Sequence, residues 1–277
     1  MAGTLHVVGT PIGNLADLSE RARDTLAAAA VILAEDTRRT GRLLQGTGID
    51  KRPMRSLFEA NERARVDEVL ALLREGRDVA LVSDGGMPLV SDPGYRVVRA
   101  AADAGFEVRV VPGPSAVTAA LAVSGLPTDR WVFEGFLPRK AGERRQRLEA
   151  LATEPRTIVL FESPRRVRAL LAELGDVVGD RRSALCREMT KLHEEVVRGT
   201  PAEMAATLGD TDPKGEVVLV IEGCADAPAA DAASAIEEVR ALVHKGARPR
   251  DASKTVAART GVGANELYRA YVDGRRE

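Results

Sequence analysis

Apolar runs of four or five residues, too short for helices, punctuate the first hundred positions. Leu5 to Val8, Val31 to Ala34, Val79 to Val82 and Glu107 to Val111 read as strands, the unbroken apolar ones as interior strands of a parallel sheet. Between them, Val66, Val69, Leu70 and Leu73 recur at the spacing of one helical face, Asn61 and Glu62 precede that helix, and Gly76 stops it. Asp17 followed by Glu20 fits a capping box for a helix running to about Ala30, and a further helix spans Arg96 to Ala104. This βαβαβ order predicts a parallel α/β domain over residues 1–114.

The texture changes beyond a helix of small residues, Ala116 to Ser124. Trp131 to Phe136, Thr157 to Ser163, Ser183 to Arg187, Val196 to Gly199 and Glu216 to Ile221 are strand candidates. Helices are expected near Gly142 to Ala152, Pro164 to Leu174 and Pro201 to Leu208. Several strands follow one another with no helix between them, so antiparallel pairing is expected and residues 115–226 read as a mixed α/β domain. Ala225 to Ala235, with Pro228, has linker composition, and three short amphipathic pieces follow, making residues 227–277 a linker and small helical tail.

The candidate chemistry collects where strands end. Val79 to Gly94 runs VALVSDGGMPLVSDPG, with Asp84 at the carboxyl end of a buried strand and Gly85 and Gly86 able to admit a ligand close to the backbone. Pro88, Asp92, Pro93 and Gly94 make the loop longer than a connection needs. Glu35, Asp36, Thr37, Arg38 and Arg39 end the second strand, and Pro112-Gly113-Pro114-Ser115-Ala116 leads into a helix whose amide end suits a ligand carboxylate. Gly9-Thr10-Pro11-Ile12-Gly13-Asn14 matches neither a dinucleotide fingerprint nor a Walker A sequence.

Composition narrows the classes. The chain has 277 residues, 44% of them hydrophobic, with no apolar run long enough to span a bilayer. The N-terminus lacks a basic region and enters a strand directly, so no signal peptide is expected and the cytoplasm is the default. Cys186 and Cys224, each in an expected strand, read as buried free thiols, and the three histidines are scattered, so no metal site is expected. Net charge is −1, which argues against a polyanion-binding surface overall. Two stretches depart from that balance: residues 139–168 and 240–277 each hold nine basic side chains against four acidic ones, keeping nucleic acid in view.

These motifs together resemble the tetrapyrrole methylase superfamily: Val8 to Leu15, Ala34 to Arg38, Ser83 to Gly86 with Pro88 and Asp92-Pro93-Gly94, Pro112 to Ser115, Glu134 to Pro138, and Lys214-Gly215-Glu216 with Glu222-Gly223. Within it the chain is most similar to the bacterial 16S ribosomal RNA cytidine 2′-O-methyltransferases, over nearly its whole length. The resemblance implies two α/β domains with the cofactor cleft between them plus a small helical C-terminal tail. It further implies S-adenosylmethionine as cofactor, a homodimer, no membrane association, and a cytidine ribose of the small ribosomal subunit as acceptor. Cofactor contacts implied on this chain are Pro11, Asp84, Gly85, Gly86, Met87, Val90, Ser115, Ala116, Phe161 and Met189. One position departs: Gly85-Gly86-Met87 stands where the family usually has Ala-Gly-Thr, which replaces a hydroxyl by a thioether.

A ribose hydroxyl is a poor nucleophile while protonated, so a base or strong acceptor is expected. Glu35, Asp36 and Lys191 are the catalytic candidates, with Asp84 and Glu162 behind them. Arg38, Arg39, Asn61, Arg139 and Lys140 are candidates to hold the RNA. Two rivals remain: methylation of a tetrapyrrole carbon, and a non-catalytic S-adenosylmethionine-binding protein.

Overall fold

The computed structural model describes residues 2–209, 213, 215–224, 232–260 and 262–273, with the side chains of 232, 233, 258 and 259 left aside. Two five-stranded sheets carry the architecture. The first comprises β1 (Leu5–Val8), β2 (Val31–Ala34), β3 (Met54–Ser56), β4 (Val79–Leu81) and β5 (Val108–Val111), in the order β3-β2-β4-β1-β5. Every pairing in it is parallel. The interior strands β2 and β4 read as unbroken apolar runs because both faces are covered. Val8, Ile32, Ala34 and Ala80 pack with α1 (Glu20–Ala28) and α2 (Thr37–Gly46), while Leu5, Val31, Leu33, Val79 and Leu81 pack with α3 (Glu62–Arg74) and α4 (Tyr95–Asp103).

The second sheet comprises β6 (Trp131–Phe136), β7 (Thr157–Glu162), β8 (Ser183–Arg187), β9 (Glu195–Gly199) and β10 (Val217–Ile221), in the order β6-β7-β10-β8-β9. Only β6 and β7 run parallel. One face lies under α6 (Ala141–Leu151), α7 (Val167–Val178) and α8 (Pro201–Leu208). The other is covered by α5 (Ala116–Ser124), whose Val117, Ala120 and Leu121 pack against Val159, Cys186, Val218 and Val220. Thus β5 completes the first sheet and the helix that follows it covers the second, so the short segment 112–115 crosses between the two. A third body, α9 (Ala232–His244), α10 (Pro249–Thr260) and α11 (Ala264–Asp273), closes on its own small core of Ala235, Val239, Ala252, Val256, Leu267 and Tyr271.

Several expectations need correction. Asp17 does not cap α1: Leu15–Asp17 forms a short 3-10 turn, and the hydroxyl of Ser19 accepts the N–H of Ala22. The helix ends at Ala28, with Ala29 as its cap. Both α2 and β3 lay outside the sequence reading. Cys224 is beyond β10 and half-buried, whereas Cys186 is buried in β8; both thiols are free. Of the expected linker, residues 225–231 lie outside the described residues and Ala232 to Ala235 open α9.

Candidate active site

Because the first sheet is parallel, the loops after β1, β2, β4 and β5 all emerge at one edge. Close backbone contacts bind them together. A Cβ on Gly9 would stand 2.6 Å from the amide nitrogen of Gly113, and one on Gly113 would stand 2.8 Å from the carbonyl carbon of Gly9. Thr10 and Gly86 exchange both backbone hydrogen bonds, at 2.9 and 3.0 Å, and Gly86 needs its positive φ of 92° to turn there. Gly13 meets the other domain: a Cβ on it would lie 2.9 Å from the carbonyl oxygen of Met189.

A cleft of about 410 Å³ opens between this edge and the ends of β6, β7 and β10. Its first-domain wall holds Ile12, Glu35, Arg39, Asp84, Gly85, Met87, Val90, Ser91 and Asp92, joined by Ser115 and Ala116 at the start of α5. Phe136, Phe161, Glu162, Ser163 and Pro164, with residues 215–218, form the opposite wall. Phe136 and Phe161 are tilted at 60° with centroids 5.5 Å apart, so the wall is aromatic.

The acidic side of the cleft is ordered by hydrogen bonds. Asp36 donates its N–H to Oδ1 of Asp84 at 3.0 Å, and Arg39 reaches Oδ2 of Asp84 at 3.3 Å. Burial, then the facing Asp84 carboxylate, raises the pKa of Glu35 above the usual carboxylate value, against the Asp84 N–H that Glu35 accepts. Burial, then Glu35, pushes Asp92 up to about 6, partly offset by a hydrogen bond from Ser83. Glu162 accepts the N–H of Ser163 at 2.7 Å, while its Oε2 has no aligned donor and lies 3.1 Å from Arg166. Among the described residues, no three His, Cys, Asp or Glu side chains converge as a metal-ligand set. Cys186, whose thiol burial pushes up to about 11, is no thiolate nucleophile.

The structure thus brings together Asp84, Gly85, Met87, Val90, Ser115, Ala116 and Phe161 of the expected cofactor contacts. Pro11 and Gly86 stand behind the loop, the Pro11 carbonyl 3.3 Å from where a Gly85 Cβ would be. Met189 is buried in the core beneath α5. Glu35 lines the cleft, whereas Asp36 caps α2 and pairs with Arg38, whose hydrogen bond lowers its carboxyl to about 2. Lys191 is held by Glu188 at 2.9 Å and Glu216 at 3.6 Å; burial opposes its charge, but these carboxylates raise its pKa, so it is no proton acceptor at neutral pH.

Of the RNA candidates, Arg39 lies in the cleft and Arg38 is 84% exposed beside it. Asn61 instead fastens a turn, accepting the N–H of Phe58 and donating to the carbonyl of Ser56. Arg139 lends its carbonyl to Arg144, and Lys140 pairs with Glu143. Asp92, Phe136 and Glu216 were missed as site residues, although Asp92-Pro93-Gly94 and Glu134 to Pro138 stood among the motifs.

The family profile described as Tetrapyrrole (Corrin/Porphyrin) Methylases matches residues 4–205, a span holding both sheets up to α8. The chain belongs to this family. Uroporphyrin-III-C-methyltransferase from Thermus thermophilus, a tetrapyrrole methylase of known structure, superposes with a TM-score of 0.56 at 25% identity, covering 79% of this chain and 94% of that one. Two curated relatives are both named ribosomal RNA small subunit methyltransferase I. The protein from Xylella fastidiosa (strain Temecula1) is 45% identical over 96% of this chain and 98% of its own length. The one from Thermotoga maritima is 49% identical over 80% of this chain and 99% of its own, so it has no counterpart to a fifth of the chain. Membership makes the chain an S-adenosylmethionine-dependent methyltransferase. The cleft fits that cofactor. Its volume lies within the ~300–1,000 Å³ of small-molecule sites, the carboxylates of Glu35, Asp84 and Asp92 on one wall suit a cationic ligand, and the aromatic wall suits an adenine.

Proposed function

We propose that this protein methylates 16S ribosomal RNA of the small ribosomal subunit at the 2′-hydroxyl of a cytidine, using S-adenosylmethionine, in the cytoplasm and as a homodimer. One observation carries it. The Xylella relative named for small-subunit ribosomal RNA is 45% identical over 96% of this chain, against 25% and 79% for the uroporphyrin-III methyltransferase. Residues 1–114, 115–226 and 227–277 act as three units, the third gripping RNA through its basic side chains. Exposed Val110 on edge strand β5 and Trp131 on edge strand β6 are the apolar surfaces offered to a second copy.

The cofactor, when bound, supplies a methyl group on a cationic sulfur. The residues align it and exclude water. Asp84, Gly85, Met87 and Val90 would hold it from the first domain, with Pro11 and Gly86 shaping that loop from behind. Ser115 and Ala116, at the start of α5 where no side chain caps the helix, would offer N–H groups to a carboxylate. Phe161, packed with Met189, would offer an aromatic face to a base. Arg39 and Arg38 hold the RNA backbone at the cleft mouth, with Arg139 and Lys140 further out. Of Glu35, Asp36 and Lys191, Glu35 is the side chain that lines the cleft and serves as the acceptor, while Asp36 caps α2 beside it and Lys191 pairs with Glu216 on the opposite wall.

The test is transfer of a labelled methyl group to small subunits lacking the modification, with a tetrapyrrole acceptor in parallel. Label in 16S RNA supports the proposal; label on the tetrapyrrole rejects it.

A further inference from the structure

We propose that the groove between α3 and α4 holds a nucleotide of single-stranded RNA flanking the one being methylated, its base stacked on Tyr95 and its phosphates held by Arg63 and Arg96. The inference rests on the RNA reading above and gives that substrate a path away from the cleft.

The groove has a volume of about 380 Å³ and opens to solvent on the outer face of the first domain. Val66 and Ala100, both half-buried, give it an apolar floor, and the exposed side chains of Arg63, Tyr95, Arg96 and Arg99 border it. Tyr95 is 62% exposed, and Phe58, in the turn before α3, is 46% exposed. The core uses neither ring. An exposed ring among guanidinium groups suits a nucleic-acid base, because the ring supplies a stacking face while the cations reach the adjoining phosphates. Arg99 donates a hydrogen bond to the Tyr95 hydroxyl, which fixes the direction of that ring.

The charges agree. Arg63 has no carboxylate partner among the described residues. Arg96 lies 3.9 Å from Glu62, whose carboxylate already accepts the N–H groups of Gly94 and Arg96 at 3.1 and 2.6 Å. Of the two acidic residues in the groove, Asp103 pairs with Arg99 at 3.5 Å and Asp67 lies one turn beyond Arg63. The available cations therefore stand at the N-terminal ends of α3 and α4, where the helix dipoles also favour an anion.

Those ends adjoin the cleft. Buried Glu62 staples the first turn of α3 to the start of α4, so the groove is preformed. Only Pro93 and Gly94 separate Asp92, in the cleft wall, from Tyr95, a reach of at most about 11 Å. A nucleotide whose ribose enters the cleft must leave its stack, which brings an unpaired neighbour within reach of Tyr95. Val66 and Ala100 are too small an apolar surface to seat a protein partner.

The experiment is steady-state methyl transfer to small subunits lacking the modification, for the full chain and for Tyr95→Ala, Tyr95→Phe and Arg63→Gln. Cofactor affinity is measured by calorimetry, oligomeric state by sedimentation, and contact by photocrosslinking to 16S RNA carrying 4-thiouridine. Tyr95→Ala should raise KM for subunits about 5–150-fold, with kcat and cofactor affinity within about twofold. Tyr95→Phe keeps the stacking face and should keep KM within about twofold. Arg63→Gln should raise KM and reduce the slope of its salt dependence by about one. A crosslink from a nucleotide beside the methylated cytidine to the peptide holding Tyr95 is expected. Unchanged KM in Tyr95→Ala overturns the proposal, as does an equal loss in Tyr95→Phe. A changed sedimentation coefficient in Tyr95→Ala also overturns it, assigning the face to a second copy. A full chain that binds cofactor yet methylates no RNA rejects the functional reading itself; RNA methylation that is indifferent to Tyr95 and Arg63 rejects the groove alone.

Discussion

Oδ1 of Asp84 accepts the backbone N–H of Asp36 at 3.0 Å, which ties the loop after β4 to the loop after β2 across the sheet edge. Its other oxygen pairs with Arg39, so one carboxylate both fixes two loops and neutralises a cation in the cleft. Asp84→Ala is expected to weaken S-adenosylmethionine binding at least about tenfold while costing about 1–2 kcal/mol of stability. Asp84→Asn keeps an acceptor and loses the ion pair, so it falls between. Calorimetry with a urea titration reads both, and unchanged affinity in Asp84→Ala would remove the loop from the site.

Gly9→Ala puts a Cβ 2.6 Å from the Gly113 amide nitrogen and 2.7 Å from its Cα, where only backbone movement relieves the overlap. A destabilisation of about 2–4 kcal/mol is expected in urea unfolding, with cofactor affinity reduced because both loops border the cleft. Gly105→Ala is the control for an added methyl without a clash, since nothing lies within 4 Å of that Cβ, though its φ of 77° carries its own smaller cost.

Asp92 sets a pH dependence of stability. Its folded pKa, about 6, lies above the ~3.9 of an unfolded aspartate. The proton it keeps favours the folded state fully below about pH 4, and that contribution is lost as pH rises through about 6. Asp92→Asn carries no such loss, so between about pH 4 and 8 it should gain about 1–2 kcal/mol on the unsubstituted chain, allowing for partial solvent screening. Thermal unfolding at the two ends of that range measures the gain; a constant gap would contradict it.

The tail has its own apolar core, and the Thermotoga relative matches over nearly its full length while covering 80% of this chain. Removing residues 227–277 is therefore expected to leave cofactor binding within about twofold while weakening subunit binding about tenfold or more, with a shallower salt dependence. Equal subunit affinity with and without the tail would reject its role.

The interior strands β2, β4 and β10 were legible because burial on both faces leaves them apolar throughout, as in Val217 to Ile221, where every residue is buried. The short helix α2 escaped notice because Thr37–Gly46 buries only Thr40 and Leu44 and carries Gly41 at its centre. Strand β3 is three residues long at a sheet edge, too short for any period. The cleft was legible as a set of loops, since glycines and carboxylates cluster at strand ends. Which carboxylate faces it was not: Glu35 and Asp36 are neighbours at the end of an extended strand and point opposite ways, one into the cleft and the other to the helix cap. Asp92 was obscured for a different reason. Its placement depends on left-handed Leu89 and Ser91 and on Glu62 from another helix, neither of which leaves a local sequence pattern.

The most direct test of the proposed reaction is where the methyl group goes. Small subunits lacking the modification, incubated with the protein and labelled S-adenosylmethionine, are digested with alkali, and the resistant linkage is located by mass spectrometry. Label at a single alkali-resistant cytidine of 16S RNA, absent with Asp84→Ala, is the expected result. Label on a base, on a tetrapyrrole offered in parallel, or on neither acceptor despite cofactor binding would contradict it.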